Sequence, residues 1–207
     1  LKRLNSPIKI NTLKRKSAQY HDQEFTDQSI ASATAIRKKL YAYQNLKDVE
    51  AFVPAATHQL LKQAIEQNRT NDWEHFFKTL KIMISNKDAK QLEEIHGMLE
   101  GFQHRIKEYV MEANSFGEFT RILKTKRYTM TKIQRILLHI LLDLTKWKVK
   151  NMQVEKGPAY LRVLGFTEKG RHYLNKIKHE VELPLITNIP REKSPMLEFD
   201  LIATNIY

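Results

Sequence analysis

The chain has 207 residues, of which 42% are hydrophobic, and this is enough to bury a core of one domain or slightly more. It has no cysteine, which excludes disulfides, thiolate metal sites and a cysteine nucleophile and fits a reducing cytoplasm. No apolar run approaches the roughly 20 residues of a transmembrane helix, so we expect a cytoplasmic protein with no membrane partner. Because the chain begins at Leu1 rather than at Met, we expect a fragment of a longer protein.

The net charge of +12 is concentrated in one stretch of the chain. Residues 121–178 carry fifteen Lys and Arg against three Asp and Glu, whereas residues 43–120 carry nine against twelve. Such segregation favours a polyanionic partner, and nucleic acid fits better than a membrane surface. The alternative is a basic surface kept only for solubility.

The first 31 residues are too short and too polar to form a domain, and we interpret them as the end of one that is missing. A boundary is expected in the pattern-free segment 20–32. From residue 32 onward the apolar spacing predicts a mainly α fold, a helical bundle-like domain over 32–207. The exceptions are an extended segment near 159–166 and an irregular carboxy-terminal tail.

Capping patterns give the expected helix starts in chain order. Ser32 opens a short helix to Tyr43, and Pro54 suits the first position of the next. Polar residues three apart then mark the further starts, namely Asn71 with Glu74, Asp88 with Gln91, Ser115 with Glu118, and Thr131 with Gln134. Thr167 opens a last helix to about Lys178.

Two apolar stripes are predicted to lie in the core. One runs as a single helix from Leu92 through Phe102 to Tyr109. The other covers Ile133 to Leu144 and is extended by one turn to Trp147, which we expect to be buried. The opposite face of this second helix carries Arg135.

The stretch "SATAIRKKL" has the composition of a phosphate site. Free N–H groups at a helix start face an anion, the hydroxyls of Ser32 and Thr34 can donate to it, and Arg37 can clamp its oxygens. A Ser cap before an ordinary helix gives the same letters, and the residues alone favour that reading. The eight histidines are scattered, no metal-ligand spacing occurs, and no catalytic centre is predicted in this chain.

The segment "KTKRYT" places three cations immediately before a predicted helix. The helix dipole disfavours positive charge there, so we expect a phosphate to compensate Lys124, Lys126 and Arg127. Alternatively, these side chains cover apolar surface while their charges stay in water.

Further along, "YLRVLGFTEKGRHYL" interleaves cations with aromatic residues, the composition of many RNA contacts. Tyr160 and Phe166 could equally belong to the core. The predicted RNA-binding cations are Lys124, Lys126, Arg127, Arg135, Arg162, Lys169 and Arg171.

Four segments together resemble the bacterial tRNA(Met) cytidine acetate ligases, which are nucleotidyltransferase-like proteins with a HIGH-type motif. These segments are "SATAIR", "KTKRYTMTKIQRILLHILL", "YLRVLGFTEKGRHYL" and "DLIATNIY", and the resemblance covers essentially the whole chain. It implies an enzyme that uses ATP, with Mg²⁺, to activate acetate as acetyl-adenylate. The acetyl group then passes to the wobble cytidine of elongator tRNA(Met).

The catalytic motif of that family, His-x-Gly-His, does not occur here. The resemblance therefore implies the carboxy-terminal, tRNA-binding half, inactive alone, with residues 1–31 as the end of a nucleotidyltransferase-like domain. It also implies that Arg15, Ser32, Thr34 and Arg37 bind ATP. The alternatives are a stand-alone helical RNA-binding module and a nucleotidyltransferase that adenylates a small metabolite.

Overall fold

The computed structural model describes residues 11–13, 31–43 and 46–206. The chain divides into two compact units, Leu1–Asp72 and Trp73–Tyr207. The expected boundary near residue 31 adjoins residues outside the described ranges, and the domain organisation expected from the sequence stays a prediction.

The described part of the first unit is helical. Helix α1 covers Ala33–Tyr43, a 3₁₀ helix covers Leu46–Phe52, and α2 covers Ala55–Glu66. The Ser32 hydroxyl accepts a hydrogen bond from the Ala35 N–H at 3.0 Å, which confirms the predicted start of α1.

The second unit is also mainly helical, as predicted. Its helices are α3 Trp73–Asn86, α4 Ala89–Glu93, α5 Phe102–Tyr109, α6 Phe116–Leu123, α7 Met130–Leu141, α8 Lys146–Asn151, α9 Glu168–Ile177 and α10 Pro195–Ile206. A 3₁₀ turn covers Val154–Lys156, and the strands β1 Leu161–Arg162 and β2 Leu185–Ile186 pair in parallel. None of the helices in the described ranges is long and apolar enough to cross a membrane.

The core of this unit lies between α3, α5, α6 and α7. Ile133 and Ile140 are fully buried, which confirms the predicted core stripe of α7. The other large side chains with almost no exposure are Leu80, Ile84, Leu92, Ile95, Phe102, Ile106, Phe119, Leu123, Ile136 and Leu137.

The single helix predicted from Asp88 to Tyr109 is wrong, although its start is right. Asp88 and Gln91 form the full capping box, but α4 ends at Glu93. The chain then passes through Gly97 and Gly101 with φ of 77° and 75°, where L side chains are strained. Backbone hydrogen bonds to residues 144–146 replace the helical ones, with Ile95 and Thr145 forming an antiparallel bridge.

The predicted extension of α7 to Trp147 is also wrong. Helix α7 begins after Thr129 rather than Thr131 and ends at Leu141, and Asp143 follows with φ of 49°. The Thr145 hydroxyl then accepts from the Lys148 N–H and starts α8. Trp147 is consequently 68% exposed instead of buried.

The pattern of Asn71 with Glu74 predicted a cap for α3, but the Glu74 carboxylate binds a different helix. This carboxylate accepts hydrogen bonds from the backbone N–H groups of Phe116 and Gly117, at 2.8 and 3.0 Å. These groups belong to the first turn of α6, where the helix dipole favours a negative charge. Glu74 therefore joins α3 to α6.

The tail is not irregular throughout, because it contains β2 and α10. Ser194 begins α10, and its hydroxyl accepts from the Leu197 N–H at 3.3 Å. A serine followed by proline at the first helical position is a usual helix start, so this signal was present in the sequence.

Candidate nucleic-acid interface

Residues 124–128, called here the basic loop, connect α6 to α7. The Thr125 hydroxyl accepts hydrogen bonds from the N–H groups of Arg127 and Tyr128, both at 3.2 Å. Tyr128 is only 8% exposed, and its ring centroid lies 4.4 Å from that of Phe102. The backbone of the loop is thus fixed from within, while Lys124, Lys126 and Arg127 are exposed.

The basic loop has a helix end on each side, which changes the electrostatic interpretation. Lys124 is the residue that ends α6, and the dipole at a helix carboxy terminus favours a cation. The amino terminus of α7 is therefore not the only helix end that acts on these cations. The three cations need no phosphate to be tolerated, so their exposure, rather than a dipole conflict, is what makes them available to a polyanion.

Arg135 lies on the exposed face of α7, one and a half turns after its start. His139 follows it by one turn, and its Nδ1–H donates to the carbonyl oxygen of His96 at 2.7 Å. Burial lowers the pKa of His139, the hydrogen bond to the His96 carbonyl opposes this, and the positive charge of Arg135 adds to the lowering. His139 is therefore a neutral hydrogen-bond donor at pH 7.

Asp143, the only acid between 121 and 154, binds two lysines. Its carboxylate accepts from Lys87 and from Lys148, each at 2.8 Å, and its backbone carbonyl also accepts from Lys148. Partial burial opposes the charged carboxylate, but the two lysine hydrogen bonds outweigh it and lower the pKa of Asp143. Lys148 is therefore compensated within the fold.

Arg162 is held by a carboxylate in the same way. Its guanidinium donates to Asp200 Oδ2 at 2.8 Å, and the Tyr160 hydroxyl donates to the same oxygen at 3.1 Å. Burial, together with Asp200, raises the pKa of Tyr160. These contacts join β1 to α10, so the structure gives Arg162 a role inside the fold.

Helix α9 presents the remaining predicted cations. Lys169 and Arg171 are exposed, and Arg171 makes a loose ion pair with Glu168 at 3.6 Å. Phe166 and Tyr173 are 52% and 62% exposed, so the alternative that placed Phe166 in the core is wrong.

The predicted ATP contacts are described only in part. Ser32 is 8% exposed and caps α1, whereas Thr34 and Arg37 are exposed at its start. Arg15 lies outside the described residues. The cap contact is what an ordinary helix would show, and phosphate binding at this position stays a prediction.

Metal binding gains no support from the part of the chain that the structure describes. There, no three His, Asp or Glu side chains gather in a way that could hold a metal ion. The rings of His96 and His139 lie 5.4 Å apart, but His139 uses its Nδ1–H for the backbone contact.

The surface described so far combines a helical scaffold, a buried apolar stripe on α7 and a set of exposed cations. The whole chain, residues 1–207, matches the family described as HIGH nucleotidyl transferase. The chain belongs to this family.

The curated relatives of this chain confirm the resemblance found in the sequence. The tRNA(Met) cytidine acetate ligase of a Bacillus cereus strain is 38% identical over 205 residues, which are 98% of this chain and 52% of the relative. That of Bacillus cytotoxicus is 38% identical over 204 residues, with the same coverage. The chain thus spans about half the length of these relatives, and the expected carboxy-terminal placement is not confirmed by the matches.

Solved structures agree with the fold. The apo crystal structure of Thermotoga maritima TmcAL has a TM-score of 0.84 and 30% identity, and the match covers 99% of this chain and 52% of that one. The form bound with alpha-thio ATP has a TM-score of 0.73 and 31% identity, covering 85% of this chain and 46% of that one.

Proposed function

We propose that this chain is the tRNA-binding part of an ATP-dependent tRNA(Met) cytidine acetate ligase. The observation that carries the proposal is the basic loop, in which three exposed cations project from a backbone held by Thr125 and Tyr128. The names of the relatives supply the substrate class. The whole enzyme would work in the cytoplasm, in line with the cysteine-free sequence.

The chemistry explains why such an enzyme needs ATP. The exocyclic amine of cytidine is delocalised into the ring, and acetate has no leaving group. Formation of acetyl-adenylate releases pyrophosphate and gives the acyl carbon a good leaving group, AMP, before the amine attacks. One similar structure carries an ATP analogue, and Mg²⁺ would balance the phosphate charge.

On the nucleotide side, we propose that Arg37 and Thr34 contact ATP from the first turns of α1. Both are exposed there, and the N–H groups at a helix start favour a phosphate. Ser32 would then act through its cap, which fixes the start of the helix. Arg15 completes the proposed set.

On the RNA side, the proposed contacts are the cations that the fold leaves exposed. They are Lys124, Lys126, Arg127, Arg135, Lys169 and Arg171. Arg162 would support this surface through Asp200 rather than touch RNA. Cations of this kind bind phosphates and position an RNA without reading its bases.

The test is tRNA binding by a variant in which Lys124, Lys126 and Arg127 are replaced by Ala. Each lost phosphate contact should reduce the slope of log K against log[salt] by about 0.7–0.9. The loss of affinity should be similar for all tRNAs, because phosphates carry no sequence. Binding of tRNA(Met) and of an unrelated tRNA, measured over a salt series, gives both quantities.

Arg37→Ala is the matched control, since it removes an exposed cation from the first unit. It should leave tRNA binding unchanged and, in the whole enzyme, weaken acetate-dependent ATP–pyrophosphate exchange. The triple variant should weaken tRNA binding and leave acetate-dependent ATP–pyrophosphate exchange in the whole enzyme unchanged. Wild-type affinity and salt slope in the triple variant would show that the basic loop is only a solvated surface.

A further inference from the structure

Two exposed aromatic residues lie on either side of Gly170 along the chain, with Phe166 two residues before α9 and Tyr173 in its middle. A Cβ atom built on Gly170 would lie 3.2 Å from the Cβ of Phe166, so Phe166 lies over the first turn of the helix. Tyr173 follows Gly170 by three residues and therefore shares its face. The rings are 52% and 62% exposed, and the position between them has no side chain.

These rings are not part of an aromatic cluster among the described residues, since neither makes a ring–ring contact there with another aromatic residue. The helix start is fixed independently, because the Thr167 hydroxyl accepts from the Gly170 N–H at 3.2 Å. The rings thus stand on a backbone that does not depend on them.

The sequence segment that carries the rings is positively charged. Between residues 164 and 178 there are four Lys and Arg and one acid, Glu168, which pairs with Arg171. Lys169 and Lys176 are exposed and lie on the same side as Tyr173, four residues before it and three after it. Flat rings among cations are complementary to unpaired bases joined by phosphates, whereas an apolar protein partner would gain nothing from the cations.

We propose that Phe166 and Tyr173 stack on unpaired bases of the bound RNA. This inference rests on the proposed tRNA-binding function and deepens it. The basic loop holds backbone phosphates, and the α9 face selects RNA whose bases are not paired. Single-stranded loops are where proteins recognise RNA by stacking.

The test compares unpaired and paired RNA by fluorescence anisotropy with the whole chain. The probes are a fluorescein-labelled, unstructured RNA of about 12 nucleotides, the same strand in a duplex, and the same strand with abasic positions. Phe166→Leu and Tyr173→Leu, which keep an apolar side chain but lose the ring, should each weaken binding of the unpaired RNA by about tenfold. Their affinity for the duplex should change by less than about twofold.

Two controls accompany these variants. Leu164 lies two residues before Phe166 and is 85% exposed, so Leu164→Ala should leave the affinity for both RNAs unchanged. Phe166→Trp should keep unpaired-RNA affinity, because indole stacks at least as well. Thermal melting of all variants should match wild type, since both rings are exposed.

Three results would overturn the stacking inference alone. The first is unchanged affinity for unpaired RNA in both Leu variants, which would assign the face to a protein contact. The second is an equal loss of affinity for duplex and unpaired RNA. The third is equal affinity of the wild-type chain for normal and abasic strands. If the wild-type chain binds neither RNA, the proposed function itself fails. The triple variant of the basic loop separates the two cases, because it should weaken the duplex as well.

Discussion

Residues 73–144 and residues 145–206 fold in different ways. Among the described residues of the second unit, every buried hydrophobic side chain lies in 77–144 except Leu197. The first region is therefore organised around an apolar core. The second buries little apolar surface among its described residues, and Trp147, Phe166, Tyr173 and Ile202 are more than half exposed.

Polar contacts do in the second region what packing does in the first. Arg162 and Tyr160 both bind Asp200, and β1 pairs with β2 through a register of two residues. A region held by few polar contacts can change its surface without disturbing a core. This is the pattern expected where a protein contacts a partner.

The largest effect is expected from a truncation in the core of the first region. Leu137 is fully buried, so Leu137→Ala should lower the free energy of unfolding by about 2–5 kcal/mol through lost burial and a cavity. Urea denaturation measures this free energy. The exposed Leu164→Ala is the control, and its free energy of unfolding should lie within about 0.5 kcal/mol of the wild-type value. A Leu137→Ala cost below about 1 kcal/mol would contradict the comparison.

A smaller effect is expected from Asp200→Asn in the second region. It weakens the contacts with Arg162 and Tyr160, but Asp200 is 38% exposed, so the cost should be only about 0.5–1 kcal/mol. Amide exchange should accelerate in α10 and not in α7. Glu168→Gln is the control, because Arg171 and Glu168 in that ion pair are 62% and 79% exposed. It should change neither the free energy of unfolding nor the amide exchange of α10. Equal acceleration in both helices would show that the two regions open together.

The smallest effect concerns pH and lies again in the first region. Because the pKa of His139 is lowered on folding, the unfolded chain binds the proton more tightly. The contribution of His139 to the free energy of unfolding is complete above the ordinary histidine pKa of about 6.5. It is lost as the pH falls from there through the pKa of His139 in the folded protein. His139→Asn keeps a donor for His96 without titrating.

Urea denaturation between about pH 7.5 and 5 gives the free energy of unfolding as a function of pH. The contribution of His139 is the difference between the pH dependence of wild type and that of His139→Asn. Wild type should lose more stability toward acid. Equal slopes would show that His139 titrates as it does in the unfolded chain.

Local patterns predicted most of the helix starts correctly. Ser32, Asp88, Ser115 and Thr167 each accept a hydrogen bond from a backbone N–H two or three positions into the helix, as the sequence indicated. These contacts span three residues, so a short window contains all the information. Core positions on α7 were predictable for the same reason.

The errors came from contacts between residues far apart in the chain. The helix predicted through residues 94–101 is broken by the bridge between Ile95 and Thr145, and Glu74 caps a helix 42 residues later. At the candidate site, the exposure of the basic loop was predictable, whereas the pairing of Arg162 with Asp200 was not. The sequence shows which charges exist but not which of them are neutralised.

The buried ring of Tyr128 has a kinetic consequence for the basic loop. Because the loop is already ordered, an RNA that meets it causes little further loss of backbone freedom. Encounter should then be limited by diffusion and electrostatic attraction rather than by a folding step. Association rate constants should fall as ionic strength rises, while dissociation should depend on the short-range contacts formed afterwards.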